Sequence, residues 1–282
     1  MTDAKRSLFC FGLGYVAEKL VDECQTLGWA VGGTVRSRGK ADQFIARGIS
    51  AEVFDGTDEI APPPGADWVI SVPPGAQGCP AFAGGGHGAA TARSIIYLST
   101  TGVYGDLNGG WVFEDSPLLP TSQRAERRMT AEHQWKSVRP DLAIVRLPGI
   151  YGPGRSVFDR LRAGKARRII KSGQVFSRVH QSDIVSGLVA LLAGNDTGGV
   201  YHFTDDAPAP PQDVIAFGAE LLGKPIPPDI PFETADLSAM ARSFYSECKR
   251  VSNAQTKARL GWRPALPTYQ DGLTAILTAE TC

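Results

Sequence analysis

The sequence has no excess of charge of either sign and no long hydrophobic run. It contains 29 Lys and Arg residues and 29 Asp and Glu residues, so no overall field would attract nucleic acid or an anionic membrane. Its apolar stretches, such as residues 188–193, are far shorter than the ~18 residues that a membrane-spanning helix needs. We therefore expect a small-molecule substrate and neither a nucleic-acid nor a membrane partner.

Metal-binding and disulfide patterns are also missing. The five cysteines are scattered, no Cys-x-x-Cys occurs, and the four histidines show no ligand spacing. These absences argue against a zinc module and a disulfide scaffold, and we predict no metal site. Unpaired cysteines suit a reducing compartment, so we expect a cytoplasmic protein.

Strand and helix patterns alternate along the first half of the chain. Strands are predicted at 8–12, 29–35, 51–54, 68–72, 95–99 and 142–146, with helices at 15–27, 40–47 and 121–139. This alternation predicts an α/β fold with a Rossmann-type, doubly wound parallel sheet. We assign residues 1–150 to the Rossmann domain. We assign 151–282 to a smaller C-terminal substrate lobe, with about 184–203 returning to the Rossmann sheet.

Glycine is concentrated in residues 75–90, where a crossover helix belongs. Each glycine costs a helix about 1 kcal/mol relative to alanine, so we expect a loop and a stunted helix there. A stable dimer interface is apolar at its centre, whereas this segment has few large apolar side chains and the helix at 121–139 is heavily charged. The sequence therefore favours a monomer over a dimer.

A Gly-x-Gly-x-x-Ala motif follows the first strand and opens the first helix. Gly12 permits the tight turn, Gly14 lets a pyrophosphate approach the backbone, and Ala17 permits close packing of helix on strand. The free N–H groups of the first helical turn would bind the phosphates. The motif predicts a dinucleotide site, to which Tyr15 and Val16 would also belong.

The end of the second strand indicates which dinucleotide binds. NAD sites place an acid about 20 residues after the glycines, but here Arg36 stands at that point, followed by Ser37 and Arg38. An arginine suits the 2′-phosphate of NADP, so NADP is favoured over NAD; a solvated basic turn is the alternative. Asp55, after the third strand, would accept from the adenine amino group, or it is a turn residue. Ser71 and Ser99, near the ends of the fourth and fifth strands, complete the predicted site.

Several motifs, in chain order, carry a family resemblance. The segment 98–106 resembles the Ser-Ser-x-x-Val-Tyr-Gly segment of extended short-chain dehydrogenases/reductases, the NAD(P)-dependent epimerase/dehydratase group. The resemblance continues at 114–120, 146–153, 178–183, 249–253 and 260–262, and so covers nearly the whole chain. It implies an oxidoreductase acting on a nucleotide sugar or another carbonyl or hydroxyl substrate.

The family's catalytic tyrosine and lysine are absent. In the family, a Tyr, a Lys and a Glu are spaced four and four residues apart on one helix, and counting back from Glu132 gives Arg128 and Arg124. Arginine stays protonated and cannot relay a proton. The resemblance implies that Arg128 holds the cofactor ribose and that Arg124 binds an anionic or carbonyl group. It also implies that Thr100 hydrogen-bonds the substrate oxygen, with Ser99 and Thr101 as substitutes.

Other tyrosines are candidates for the missing phenol. Tyr104 follows Thr100 by four residues at the carboxyl end of a strand, where ligands bind in such sheets, although packing against the substrate lobe is the alternative. Tyr245 with Lys249 repeats the family spacing in the wrong chain order, and Tyr15 with Lys19 repeats it on the wrong helix. We predict an NADP-linked epimerase, dehydratase or reductase with a rewired acid/base set; the alternative is a non-catalytic NADP-binding sensor or partner-binding protein.

Overall fold

The structure, a computed structural model, describes residues 6–194 and 198–281, which divide between two compact units. Unit 1 runs up to Val103 and takes in Pro120–Arg146 and Val185–Tyr201. Unit 2 comprises Tyr104–Leu119, Leu147–Ile184 and the chain from His202 onward. The chain therefore passes between the units several times.

Unit 1 is a sheet with helices in the crossovers. Its strands are β1 (Ser7–Phe11), β2 (Ala30–Val35), β3 (Ser50–Val53), β4 (Asp67–Ile70), β5 (Ser94–Thr100), β7 (Ala143–Leu147) and β11 (Gly199–His202), the last two ending in unit 2. Its helices are α1 (Tyr15–Thr26), α2 (Arg38–Ala46), α3 (Pro80–Gly85), α4 (Gln123–Val138) and α6 (Gln181–Ala193), which begins in unit 2. Two 3-10 turns, Gly86–Thr91 and Thr101–Tyr104, flank β5.

The seven strands are ordered β11-β7-β5-β4-β1-β2-β3. The pairings β3–β2, β2–β1, β1–β4 and β4–β5 are parallel. The chain reverses direction across the sheet at β1, which is the switch point of a Rossmann fold. The predicted fold class is therefore confirmed.

Unit 2 combines short strands with helices of one to four turns. Its strands are β6 (Trp111–Val112), β8 (Gly149–Tyr151), β9 (Arg168–Ile170), β10 (Arg178–His180), β12 (Asp229–Pro231) and β13 (Arg250–Val251). Its helices are α5 (Val157–Arg162), α7 (Pro211–Leu221), α8 (Ala239–Phe244), α9 (Ala254–Leu260) and α10 (Tyr269–Thr281). The strands pair in parallel as β6–β13, β8–β10 and β9–β12. Residues 104–119, which the sequence analysis placed in the first domain, lie in unit 2 because β6 pairs with β13.

The glycine-rich crossover forms the short helix α3, as predicted from its composition. Gly84 and Gly85 pack so tightly that added Cβ atoms would lie 2.6 Å from the Asp58 carbonyl oxygen and 2.8 Å from Cζ of Phe11. The carbonyl of Gly84 accepts a hydrogen bond from the Ile60 amide at 2.9 Å. These glycines hold α3 close to the backbone of its neighbours, where no larger residue fits.

A buried ion pair joins α4 to the sheet. Arg146 on β7 donates from Nη2 to Oε2 of Glu132 at 2.7 Å and from Nε to Oε1 at 3.1 Å. Ser99 on β5 donates to the same Oε1 at 2.5 Å. Both charged side chains are almost fully buried, with 4% and 1% exposure for Arg146 and Glu132. One carboxylate thereby fixes the helix against two strands.

No helix in the described part of the chain has both the length and the apolar character needed to cross a membrane. Within residues 6–194 and 198–281, no three His, Cys, Asp or Glu side chains are grouped so that they could bind a metal ion.

Replacing Arg146 with methionine should destabilise the protein by about 3–5 kcal/mol, because it leaves the Glu132 carboxylate buried without its cation. The matched control is Asp141→Ala, which breaks the pair between Arg139 and the exposed Asp141 at the end of the same helix. That change should cost less than about 1 kcal/mol. Urea unfolding followed by circular dichroism measures both, and equal losses would contradict the importance of the buried pair.

Candidate functional site

The loop after β1 is a tight turn built on glycine. Gly12 has a φ of +91°, a conformation that residues with side chains rarely adopt, and an added Cβ would lie 2.8 Å from Cγ1 of Val72. The amide of Gly12 donates to Oγ1 of Thr34 at 2.8 Å, and the amide of Leu13 donates to the Thr34 carbonyl at 2.7 Å. Thr34 on β2 therefore holds the turn in place from behind.

The start of α1 faces open space. An added Cβ at Gly14, the N-cap residue of α1, would meet nothing within 4 Å. Val16 and Ala17 are buried and pack the helix on the sheet, as predicted for Ala17. An approaching anion would therefore meet the backbone amides of the first turn.

A groove of about 460 Å³ runs from this turn across the ends of β2, β3 and β4. Its lining residues are Gly12, Leu13, Gly14, Thr34, Val35, Arg36, Ser37, Lys40, Phe54, Asp55, Gly56, Ser71, Val72, Pro73 and Pro80. Six of the predicted site residues line it together: Gly12, Gly14, Arg36, Ser37, Asp55 and Ser71. We refer to it as the groove.

The basic residues that line the groove are Arg36 and Lys40, whereas the sequence predicted Arg36 and Arg38. Arg36 lines the groove, whereas Arg38 is not a lining residue and pairs instead with Asp42 at 3.2 Å, one helical turn further along α2. Lys40 takes its place in the lining. Residues 38 and 40 point to different sides of α2, so the two side chains differ in their access to the groove, and a role of Arg38 in cofactor binding stays a prediction.

Asp55 is held as a hydrogen-bond acceptor. Its Oδ1 accepts from the hydroxyl of Thr57 at 2.6 Å and from the Thr57 amide at 2.9 Å. These bonds lower the pKa of the Asp55 carboxyl below its ordinary value, so the group is ionised at neutral pH. Asp55 therefore forms a turn and also lines the groove, and its contact with the adenine amino group stays a prediction.

The last two residues of β5, Ser99 and Thr100, have different roles. The Ser99 hydroxyl is committed to Glu132, and Ser99 is not among the residues that line the groove. Thr100 is half-buried, and its Oγ1 accepts from the Gly102 amide at 3.2 Å, which leaves the hydroxyl proton for another acceptor. The geometry therefore favours Thr100 over Ser99 as the hydroxyl available to a ligand.

A second cavity of about 160 Å³ adjoins the groove, since Pro73 lines both. Its other lining residues are Pro74, Gln123, Arg124, Arg127 and Arg128. We call it the arginine pocket. Nη1 of Arg128 donates to the Leu98 carbonyl at 2.8 Å and to the Tyr97 hydroxyl at 3.1 Å, which fixes this guanidinium at the carboxyl end of β5.

The candidate phenols of unit 2 serve its packing. Tyr104 is fully buried, and its hydroxyl lies 2.6 Å from Nε2 of His202. Nδ1 of His202 donates to the Ser252 carbonyl at 2.8 Å, so the ring is held from both sides, with Nε2 toward the Tyr104 hydroxyl. Tyr245 packs its ring on other aromatic side chains of unit 2, and Lys249 donates to the Gly105 carbonyl at 2.6 Å. The geometry favours the packing alternative for Tyr104.

Comparisons with known proteins were made on both sequence and structure. No protein-family model matches the sequence. Over 199 residues, 66% of this chain, the sequence is 29% identical to a 3-diazoavenalumate denitrifying reductase of a Streptomyces species. The match spans 65% of that relative's length.

The fold occurs in several solved structures. A conserved protein of unknown function from Silicibacter pomeroyi DSS is 44% identical, with a TM-score of 0.91 over 99% of this chain and 100% of that one. A protein from Methylobacillus flagellatus, classed by inference as an NAD-dependent epimerase/dehydratase, is 21% identical with a TM-score of 0.73 over 99% of both chains. The dTDP-glucose 4,6-dehydratase of Bacillus anthracis str. Ames, in complex with NAD, is 14% identical with a TM-score of 0.75 over 99% and 97%.

The strand order, the glycine turn and these likenesses define the class. The fold is that of the extended short-chain dehydrogenases/reductases of the epimerase/dehydratase group, which confirms the predicted resemblance. The chain belongs to the same family as the Silicibacter pomeroyi protein.

Replacing Thr34 with valine should destabilise the protein by about 1–3 kcal/mol, because the Gly12 amide loses its acceptor while the shape of the side chain is kept. Thr34→Ser keeps the hydroxyl and is the control, expected to lose less. The free energy of unfolding in urea measures the difference. Equal destabilisation by both variants would show that the methyl group, and not the hydrogen bond, is what matters.

Proposed function

We propose that this protein is an NADPH-dependent reductase that works without a tyrosine–lysine proton relay. The observation that carries the proposal is that Pro73 lines both the groove beside the glycine turn and a pocket with arginines at both relay positions. When bound, the nicotinamide would supply hydride to the substrate. The reductase among the sequence relatives supports this direction of reaction.

The groove fits a nicotinamide dinucleotide. The open space at Gly14 is a cradle that a Cβ would fill, and the first-turn amides of α1 are directed at it. The NAD-dependent structural neighbours support a nicotinamide cofactor of this kind. Asp55 would accept from the adenine amino group through the carboxylate oxygen that Thr57 leaves unused.

The cations of the groove favour the phosphorylated cofactor. Arg36 and Lys40 line it, and neither enters any ion pair recorded for the described residues. Two uncompensated cations suit a dianionic 2′-phosphate, and Arg36 would bind it through a charge-assisted fork. The 2′-hydroxyl of NAD would instead be bound by an acidic residue at this position.

The relay positions favour reduction over epimerisation. Epimerisation and dehydration begin with removal of a hydroxyl proton, which needs a base, whereas an arginine stays protonated. A reduction builds up negative charge on the substrate, and the fixed guanidinium of Arg128 would stabilise it. The Thr100 hydroxyl would donate a hydrogen bond to the same oxygen, and a proton from solvent would complete the reduction to the alcohol.

The cofactor preference can be tested by titration. Binding of NADPH, followed by its fluorescence, should be about tenfold to a hundredfold tighter than binding of NADH, the effect of one charge-assisted contact of about 1.5–3 kcal/mol. Arg36→Glu should erase this preference. The control is Arg38→Glu on the same helix end, which lies outside the groove and should keep it. Equal affinities in the unmodified protein would contradict NADP binding.

The chemistry can be tested by restoring the family residues. The protein should not epimerise UDP-glucose above background, yet it should bind NADPH. The double variant Arg124→Tyr with Arg128→Lys should raise weak reduction of a carbonyl compound that carries no anionic group, measured as NADPH oxidation at 340 nm, because it supplies a phenol of lowered pKa. Robust epimerisation by the unmodified protein would refute the proposal. Tight NADPH binding with no oxidation by any carbonyl or nucleotide-sugar substrate would favour the non-catalytic sensor.

A further inference from the structure

The arginine pocket concentrates positive charge that its surroundings leave uncompensated. Three guanidinium groups come from the first six residues of α4, where the helix dipole adds partial positive charge. None of the ion pairs formed by residues 6–194 and 198–281 includes Arg124, Arg127 or Arg128. Such a cluster repels itself unless an anion joins it.

The three arginines differ in how many donors remain available. Arg128 uses Nη1 for β5, and Nη2 of Arg127 donates to Oε1 of Gln123 at 3.0 Å. The side chain of Arg124 makes no hydrogen bond with any group of residues 6–194 and 198–281. Its whole planar fork is available, and that fork matches a carboxylate through two parallel bonds.

The wall facing the arginines is apolar. Pro73 and Pro74 follow β4 and present rings without any N–H donor. Glu126, an acidic residue on the same helical turn, is exposed and is not among the lining residues. A ligand that fits this combination has one anionic end and an apolar body.

We infer that the arginine pocket binds the carboxylate of the substrate, which is a small organic acid with an apolar body. Arg124 and Arg127 hold the carboxylate, while Pro73 and Pro74 contact the body at the boundary with the groove. The inference rests on the proposed function, because the pocket gains its meaning from the adjoining cofactor. It replaces the nucleotide sugar that the family resemblance implied with a carboxylic acid.

Binding can be measured without turnover. Benzoate is the probe, titrated by saturation-transfer NMR into the protein saturated with NADP⁺, and benzamide is its neutral isostere. Benzoate should bind at least about tenfold more tightly than benzamide, the effect of one charge-assisted contact. Arg124→Gln should weaken benzoate binding by a similar factor and keep the fold, since Arg124 has no internal partner. Lys136→Gln, which removes an exposed cation further along α4, is the control and should leave binding unchanged.

Each contrary result has a separate meaning. Equal affinity for benzoate and benzamide, or an Arg124→Gln variant that binds benzoate as well as the unmodified protein, would overturn the inference. Inorganic phosphate that displaces benzoate at equal concentration would overturn the carboxylate assignment in favour of a phosphorylated substrate. NADPH binding without benzoate binding would leave the proposed function standing and remove the inference. Arg124-dependent benzoate binding, measured without cofactor in a protein that does not bind NADPH, would remove the proposed function and leave a carboxylate site that is not a substrate site.

Discussion

The Glu132 carboxylate is the point on which the geometry of unit 1 depends. It sits on the buried face of α4 and receives Arg146 from β7 and Ser99 from β5, so three elements meet at one group. Removing both charges from water costs free energy. That cost is offset because both carboxylate oxygens of Glu132 accept short hydrogen bonds. A buried pair of this kind specifies one arrangement more than it adds stability. Here it sets the rotation of α4 about its axis. That rotation places the arginines one and two turns before Glu132 beside Pro73.

The same helix shows how function can change without a change of fold. Arg128 lies one turn before Glu132 and is tied to the backbone of β5, so its charge is held as firmly as the structural pair. A lysine there would have a single flexible ammonium, whereas the guanidinium can bind β5 and still offer donors elsewhere. The substitution therefore keeps positive charge at the end of β5 while it gives up proton transfer. The fold tolerates this because the buried contacts of α4 are made by other residues.

Much of unit 1 was predictable because its elements are long enough to show a period. The strand ends and α4 agree with the prediction to within two or three residues, and Gly12, Gly14 and Ala17 have the positions that the motif implies. The two- and three-residue strands of unit 2 were not predicted, since so short a strand shows no alternation. Which of Arg38 and Lys40 lines the groove depends on the residue at which α2 begins. That the Ser99 hydroxyl donates to Glu132 depends on where α4 packs. Both depend on three-dimensional packing that no local pattern encodes.

The tight packing of α3 means that stabilising this helix by substitution would disturb the groove beside it. Replacing helical glycines with alanine normally stabilises a protein, by reducing the freedom of the unfolded chain. At Gly84 and Gly85 the added methyl group would meet backbone and an aromatic ring, so α3 would have to move away from the sheet. Pro80, the first residue of that helix, forms part of the groove wall. Alanine at these two positions would therefore shift Pro80 and change the shape of the groove, so the glycines that weaken α3 as a helix also preserve the cofactor-sized space beside it.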